Sequence, residues 1–427
     1  MSLTVLLVAC VPVGDGEAQG VGLDIRPAAL TLELEAGASQ TLHVDVTNNG
    51  SRTRRIEVES VGVGLGAGMT RNVELGAGQT TGIEVVVDCP LKASVKHGWI
   101  VIDDARAPKA VPVRVACQMN EFYVSEHGAG SEPDLLTWEP PLLERPSVVR
   151  VPAERSARVL ELDRSKDYLV LLPKRAKDHG IVIQGGRNVV VFGGEIQIPW
   201  QGASPSIAAR RGLYIVGSTG VVHVEGLLLH GEDISEGIQI NAPDAVVQLQ
   251  NVAVLGLRAR DQVGFTDNHP DVVQTFGNVR HLRIDRLTGT TDYQGLFLSA
   301  TYNGPAHGPV DLKRVNIVGG ATARYLLWFR PNQQSGQVTL EDVWVSVPAS
   351  RAGGIGRAVW PDVNGRDPSR AIVSRESDGV RSVSWPSGMR PAVVGQVKEG
   401  VPPGGDFVPQ GAVGVGYRSP GYGVEGL

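Results

Sequence analysis

Several things are scarce in this chain, and each scarcity excludes something. No apolar run approaches the ~20 residues that a transmembrane helix needs. Lysines and arginines are interleaved with acids at a net charge of −5, so there is no basic stripe of the kind a nucleic-acid surface requires. Few windows sustain a 3.6-residue apolar period, which argues against a helical protein. Only three cysteines occur, Cys10, Cys89 and Cys117. What is abundant is Gly, at 54 residues, with 27 Pro, a composition that favours many turns and short strands. Apolar residues make up 42% and charged residues 20%, so a large core can be buried and global disorder is excluded. Short Val/Ile/Leu runs with period 2 recur throughout. The expected class is all-β, and 427 residues suffice for two or three domains.

Residues 1–20 read as a signal and tether. Leu7-Val8-Ala9-Cys10 resembles the lipobox of bacterial lipoproteins, although no Lys or Arg precedes the apolar run. That resemblance implies export, lipidation at Cys10 and a cell-surface or extracellular location, with the lipid as the only membrane contact. Residues 21–118 contain about seven short alternating runs with polar turns between them, including Leu42–Val46, Ile83–Val87 and Val111–Val115. This is the pattern of an antiparallel β-sandwich. Leu34-Glu35-Ala36-Gly37 followed by Val44 to Gly50 resembles the immunoglobulin-like modules of bacterial surface proteins. Cys89 and Cys117 end two of its runs, as a disulfide suited to export or as two buried thiols. Residues 119–158, rich in Glu and Pro, read as a linker or cap.

From Val159 the pattern repeats. A first marker, an apolar run after a turn, begins at Ile181, Leu213, Ile238, Val273, Leu296 and Leu326. A second, two apolar residues flanking two mostly polar ones, begins at Val224, Leu249, Ile284, Leu312 and Leu340. Three of the pairs share one offset of 11 residues. Repeats of 23 to 35 residues without a helical segment point to a right-handed parallel β-helix over 159–385, followed by an extended tail, 386–427. In this rhythm the chain resembles the pectate-lyase-like superfamily. The Asn-Thr-Asp, Asp-Asp, Gly-His-Gly and Arg-Ile-Lys motifs of polygalacturonases are absent from the repeats, so the resemblance implies a fold and does not transfer a reaction.

The longest repeat carries an inserted polar stretch, Leu257–Pro270, and insertions in a solenoid often form its binding face. Two positions before each first marker, one column holds His179, Arg211, Glu236, Asp271, Gln294 and Arg324. Stacking would set Glu236 and Asp271 on adjacent coils ~5 Å apart. Close carboxylates separate into acid and base roles. The expected catalytic residues are therefore Asp271, Glu236, His269 and Arg324. Gln239, Gln274, Arg258, Arg260, Asp267, Tyr293, Tyr214 and His230 are the expected substrate-binding residues. No dedicated metal set is read, though the carboxylates could hold Ca²⁺. Bland alternatives are a charge ladder on solvent-facing turns, and Asp271 as a turn cap. The function expected is a polysaccharide lyase or glycoside hydrolase outside the cell. Its alternatives are a non-catalytic glycan-binding or adhesion protein, and a fibre-like spacer.

Overall fold

The computed structural model describes residues 22–417, apart from 36–37, 62–70, 90–93, 105–107, 119–135, 155–158, 201–209, 260–269, 300–306, 331–334, 352 and 362–370. The fold is all-β, with both antiparallel and parallel strands. Among the described residues no helix is long and apolar enough to cross a membrane. The chain divides into two compact units. One takes residues up to Val149 with Asp167–Leu169, and the other takes Arg150–Lys166 and Val170–Tyr417.

In the first unit, Leu23–Arg26, Ser39–Asn48 and Thr80–Asp88 form one antiparallel sheet. Ser39–Asn48 alternates exposed and buried along its second half, as a half-covered strand must. Leu30–Glu35, Arg54–Val61, Arg71–Leu75, Ser94–Asp103 and Lys109–Gln118 form a second run of pairings. Val44, Val46, Ile83 and Val87 share one core with Ile56, Ile100, Ile102, Val113 and Val115, so the two sheets bury a common interior. The sandwich is not wholly antiparallel, which corrects the expectation. Leu30–Glu35 runs parallel to Lys109–Gln118. A parallel pair needs a long crossover, and here the intervening strands supply it. Asn48 holds one turn together: its Nδ2 donates to the carbonyls of Arg52, Leu75 and Gly76, and its Oδ1 accepts from the Gly50 amide. Cys89 and Cys117 are joined in a disulfide at the edge of this core.

The second unit is built from three parallel ladders. Strand segments add to the first ladder at Val159–Leu162, Ile181–Gly185 and Arg211–Val216. It continues through the starts of Glu236–Leu257 and Asp271–Thr291, then Gln294–Ser299 and Tyr325–Arg330. The second ladder runs through Val189–Phe192, Val221–Glu225 and the middle of the two long strands to Val310–Gly319, Val338–Ser346 and Val393–Glu399. Lys177–Asp178, Glu195–Ile198 and Leu228–Gly231 begin the third. Aliphatic residues stack on aliphatic residues inside. Leu213, Ile238, Val273 and Leu296 occupy successive rungs of the first ladder, all fully buried. The strand Val393–Glu399 lies within the stretch expected as an extended tail.

One backbone feature recurs at the corner between the second and third ladders. Gly226, Asn251, Arg286, Arg314 and Asp342 follow rung-paired residues, and all have φ between 49° and 73°. The left-handed region admits Gly, Asn and Asp readily, but an arginine there costs ~1–2 kcal/mol. Arg314 recovers part of this by donating from Nε and a terminal nitrogen to both oxygens of buried Asp285, on the preceding rung.

The last described segment straps across this corner. Asp406 accepts from Thr288 Oγ1 and from Asn316 Nδ2, and Val408 and Val413 pack on Ala253. The Tyr417 ring lies so close to Gly226 that a Cβ there would sit 2.0 Å from a ring carbon. Its hydroxyl donates to Glu225 Oε1 at 2.8 Å and accepts from Asn251 Nδ2 at 2.9 Å. The other oxygen of Glu225 faces His223 Nε2 at 3.1 Å, and both side chains are buried. Tyr417→Phe should therefore destabilise the second unit by about 1–3 kcal/mol, because a buried carboxylate oxygen loses its donor. Chemical denaturation with the wild type alongside reads this directly.

Candidate active site on the first ladder

From Arg211–Val216 onward, each first-ladder strand described above starts on a polar residue. Arg211 pairs with Glu236, Glu236 with Asp271, Asp271 with Gln294, and Gln294 with Tyr325. Ladder neighbours stand ~4.8 Å apart, so Glu236 and Asp271 are adjacent rungs. Gly237 permits this approach: a Cβ there would lie 2.4 Å from Val254 and 2.7 Å from the Val272 carbonyl. The expected column is corrected at its far end. Arg324 does not share the position; Tyr325 does, because Leu327 and not Leu326 pairs with Leu296.

The two carboxylates differ in surroundings. Glu236 is buried at 5% exposure, accepts from Ser235 Oγ at 2.7 Å, and has Arg211 Nε at 3.5 Å. Asp271 has no exposed surface, and neither of its carboxylate oxygens has a hydrogen-bond partner among the described residues. Burial pushes its carboxyl well above the usual carboxylate range, and the Glu236 charge adds to the rise. An unpartnered, fully buried anion is costly, so the neutral acid is the form that fits. This is opposed to the turn-cap alternative, in which the carboxylate would accept from backbone amides.

Beside the pair lies a set of aromatic rings and cations. Tyr293 is nearly buried, and its phenol is pushed up by burial, pulled down by Arg324 and raised by Asp271 and Tyr325. The Arg324 guanidinium stands 5.5 Å from the Tyr293 ring centre. Arg351 stands 5.3 Å from that of Tyr325, and burial pulls its guanidinium down. These distances suit cation–π contact. Further along the strand, Tyr214, Gln239, Gln274, Phe297 and Trp328 occupy consecutive rungs. Gln239 Nε2 donates to Gln274 Oε1 at 3.4 Å, a short amide ladder. The Phe297 and Trp328 rings are 4.6 Å apart, and Trp328 is 5.0 Å from Tyr325. Arg211 lies 5.2 Å from the Tyr214 ring centre.

The remaining expected residues fall elsewhere. His230 is on the third ladder and pairs with Glu195 Oε1 at 2.8 Å. Arg258 is exposed and lines an open cleft at the end of that ladder. Arg260, Asp267, His269 and Cys10 lie outside the described residues. Among the described residues no group of three or more His, Cys, Asp or Glu is placed to hold a metal ion. Sequence reasoning missed Arg351 and placed Tyr325 off the column. Tyr325 was one residue from the expected column, whereas Arg351 lies in a Gly/Ser-rich stretch with no periodic signal.

No protein-family model matches the chain, and no curated protein matches it. Some solved structures are similar over parts of it. One is an ASH/PapD-like domain of a human protein, at 9% identity and TM-score 0.20, covering 27% of this chain and 97% of that domain. Another is a family 123 glycoside hydrolase from Clostridium perfringens, at 8% identity and TM-score 0.18, covering 23% of this chain. This chain spans only 27% of that hydrolase. A third is a chaperone–tip adhesion subunit complex from the Csu pili of Acinetobacter baumannii, at 9% identity and TM-score 0.18, covering 26% of this chain and 68% of the other.

Proposed function

We propose that the second unit is a right-handed parallel β-helix of the pectate-lyase-like kind, and that it cleaves an extracellular polysaccharide along its first ladder. The observation that carries this is the buried, unpartnered carboxyl of Asp271 on the rung beside Glu236. Two carboxyls in unequal surroundings are the usual source of an acid and a base in one site. Asp271, held neutral, would give its proton to the leaving glycosidic oxygen. Glu236, with Arg211 and Ser235 beside it, would act as the base or nucleophile. Arg324 would neutralise an acidic sugar, and the rings of Phe297 and Trp328 would stack on the polymer. The disulfide suits an exported protein, and lipidation at Cys10 would hold it to a membrane.

The test is incubation with a panel of polysaccharides, reading unsaturated-product absorbance and reducing ends together. Product of either kind supports the proposal and assigns lyase or hydrolase chemistry. Silence on both, with retained glycan binding, replaces it with the second reading, a non-catalytic glycan-binding surface. That reading is favoured by the complete burial of Asp271 next to a half-exposed Phe297–Trp328 pair. Under either reading Trp328→Ala should weaken polysaccharide binding about tenfold, through the lost stacking face. Affinity electrophoresis of the variant against wild type measures it.

A further inference from the structure

An open cleft of about 200 Å³ lies where the chain returns from the third ladder to the first. Three successive turns line it, at 256–258, 290–292 and 318–320. Gly256, Gly319 and Gly320 leave the main chain bare on its walls. A Cβ at Gly320 would sit 1.7 Å from Asp292 Oδ1, so glycine there makes room for that carboxylate. The other polar groups of these turns are mostly engaged. The Gly256 amide donates to Thr290 Oγ1, the Asp292 amide donates to the Leu257 carbonyl, and the Asp292 carbonyl accepts from Thr322 Oγ1. The Asp292 carboxylate is half-buried and has no hydrogen bond or ion pair with a described residue. It is an acceptor without a partner among the described residues, and Arg258, which makes another contact of its own, is the cation on the same lining.

The cleft adjoins the carboxylate pair through one residue. Thr291 Oγ1 donates to the carbonyl of Pro270, which precedes Asp271, and accepts from the amide of Tyr293. A ligand seated here lies at the shoulder of the Asp271 centre.

Size and charge narrow the ligand. Pockets that enclose drug-sized molecules measure ~300–1,000 Å³, so this one takes a single ring at most. A bare cation is disfavoured by Arg258, and a small anion by Asp292. A ring bearing adjacent hydroxyls suits both, since a carboxylate accepts from two hydroxyls and a guanidinium donates to ring or hydroxyl oxygens. We propose that this cleft is a subsite for one pyranose ring, with Asp292 gripping its hydroxyls and Arg258 orienting it. The assignment rests on the polysaccharide reading above and names where one sugar unit of that substrate sits.

The test uses the full chain with labelled Leu and Val methyl groups. It is titrated with methyl glycosides of glucose, galactose and mannose, and with glucuronate and galacturonate. The expected result is that one or more of these sugars shifts the methyl signals of Leu257 and Val318, which line the cleft. Asp292→Asn should weaken that sugar about tenfold, by loss of a charged acceptor. Asp271→Asn should leave the shifts in place, because Asp271 is not on the lining. Shifts without any polysaccharide turnover would uphold the subsite while the catalytic reading fails. Turnover without shifts at Leu257 and Val318 for any of the five sugars, or shifts unchanged by Asp292→Asn, would overturn the subsite.

Discussion

Asp271→Asn is expected to abolish turnover and yet spare the protein a loss of stability as pH rises. Both effects have one cause. Asp271 has no exposed surface and, among the described residues, no partner for either oxygen, and burial followed by the Glu236 charge raises its folded-state pKa well above 3.8. The folded chain thus holds this proton more tightly than the unfolded chain does. Below the unfolded value both states are protonated and this group adds no pH dependence. Between the unfolded and the raised folded value, only the unfolded state releases the proton. Stability then falls as pH rises, by about 1.4 kcal/mol per pH unit at full difference, and levels off above the folded value. Asn cannot ionise and escapes that loss. The gap between variant and wild-type melting temperatures should therefore widen with pH across this window. Asn also has no acidic proton for a leaving group, so product formation should stop. Melting curves that stay parallel at every pH would remove the buried neutral acid from the account.

Removing the disulfide should have the other large effect. Cys89 and Cys117 are 28 residues apart and both lie in the core of the first unit. Closing a loop of that length restricts the unfolded chain by about 3–4 kcal/mol in the chain-entropy picture. The Cys89→Ala/Cys117→Ala double variant should lose that much, with some further loss from the smaller side chains at two buried positions. Urea titration of the oxidised protein, the reduced protein and the double variant measures it. Equal midpoints for all three would show that the bond does not restrain unfolding.

Much of the repeat rhythm was legible, because stacked rungs force aliphatic residues into fixed register. The first markers at Ile181, Leu213, Ile238, Val273 and Leu296 lie on one another. The second markers at Val224, Leu249, Ile284, Leu312 and Leu340 do the same. The reading slipped at Leu326-Leu327-Trp328. Three apolar residues in a row give no alternation to choose the phase, both leucines are buried, and one residue of slip exchanged Arg324 for Tyr325. The left-handed corner was hidden for a different reason. Asn251, Asp342 and Gly226 signal it, but Arg286 and Arg314 occupy the same place, the latter answered by Asp285 on a neighbouring rung. Such a compensation depends on contacts between rungs and leaves no local trace. The adjacency of Glu236 and Asp271 followed from the rhythm. Their unequal surroundings did not, since burial of Asp271 and the Ser235 and Arg211 contacts of Glu236 arise only once the strands are packed.

The most direct measurement is a pH titration of the Asp271 side-chain carboxyl by ¹³C NMR, in the wild type and in Glu236→Gln. The account predicts a midpoint well above the ordinary carboxylate range, falling but staying raised when the Glu236 charge is removed, because burial is the larger cause. A midpoint at or below 3.8, or one that ignores Glu236→Gln, would contradict an acid and base paired on adjacent rungs.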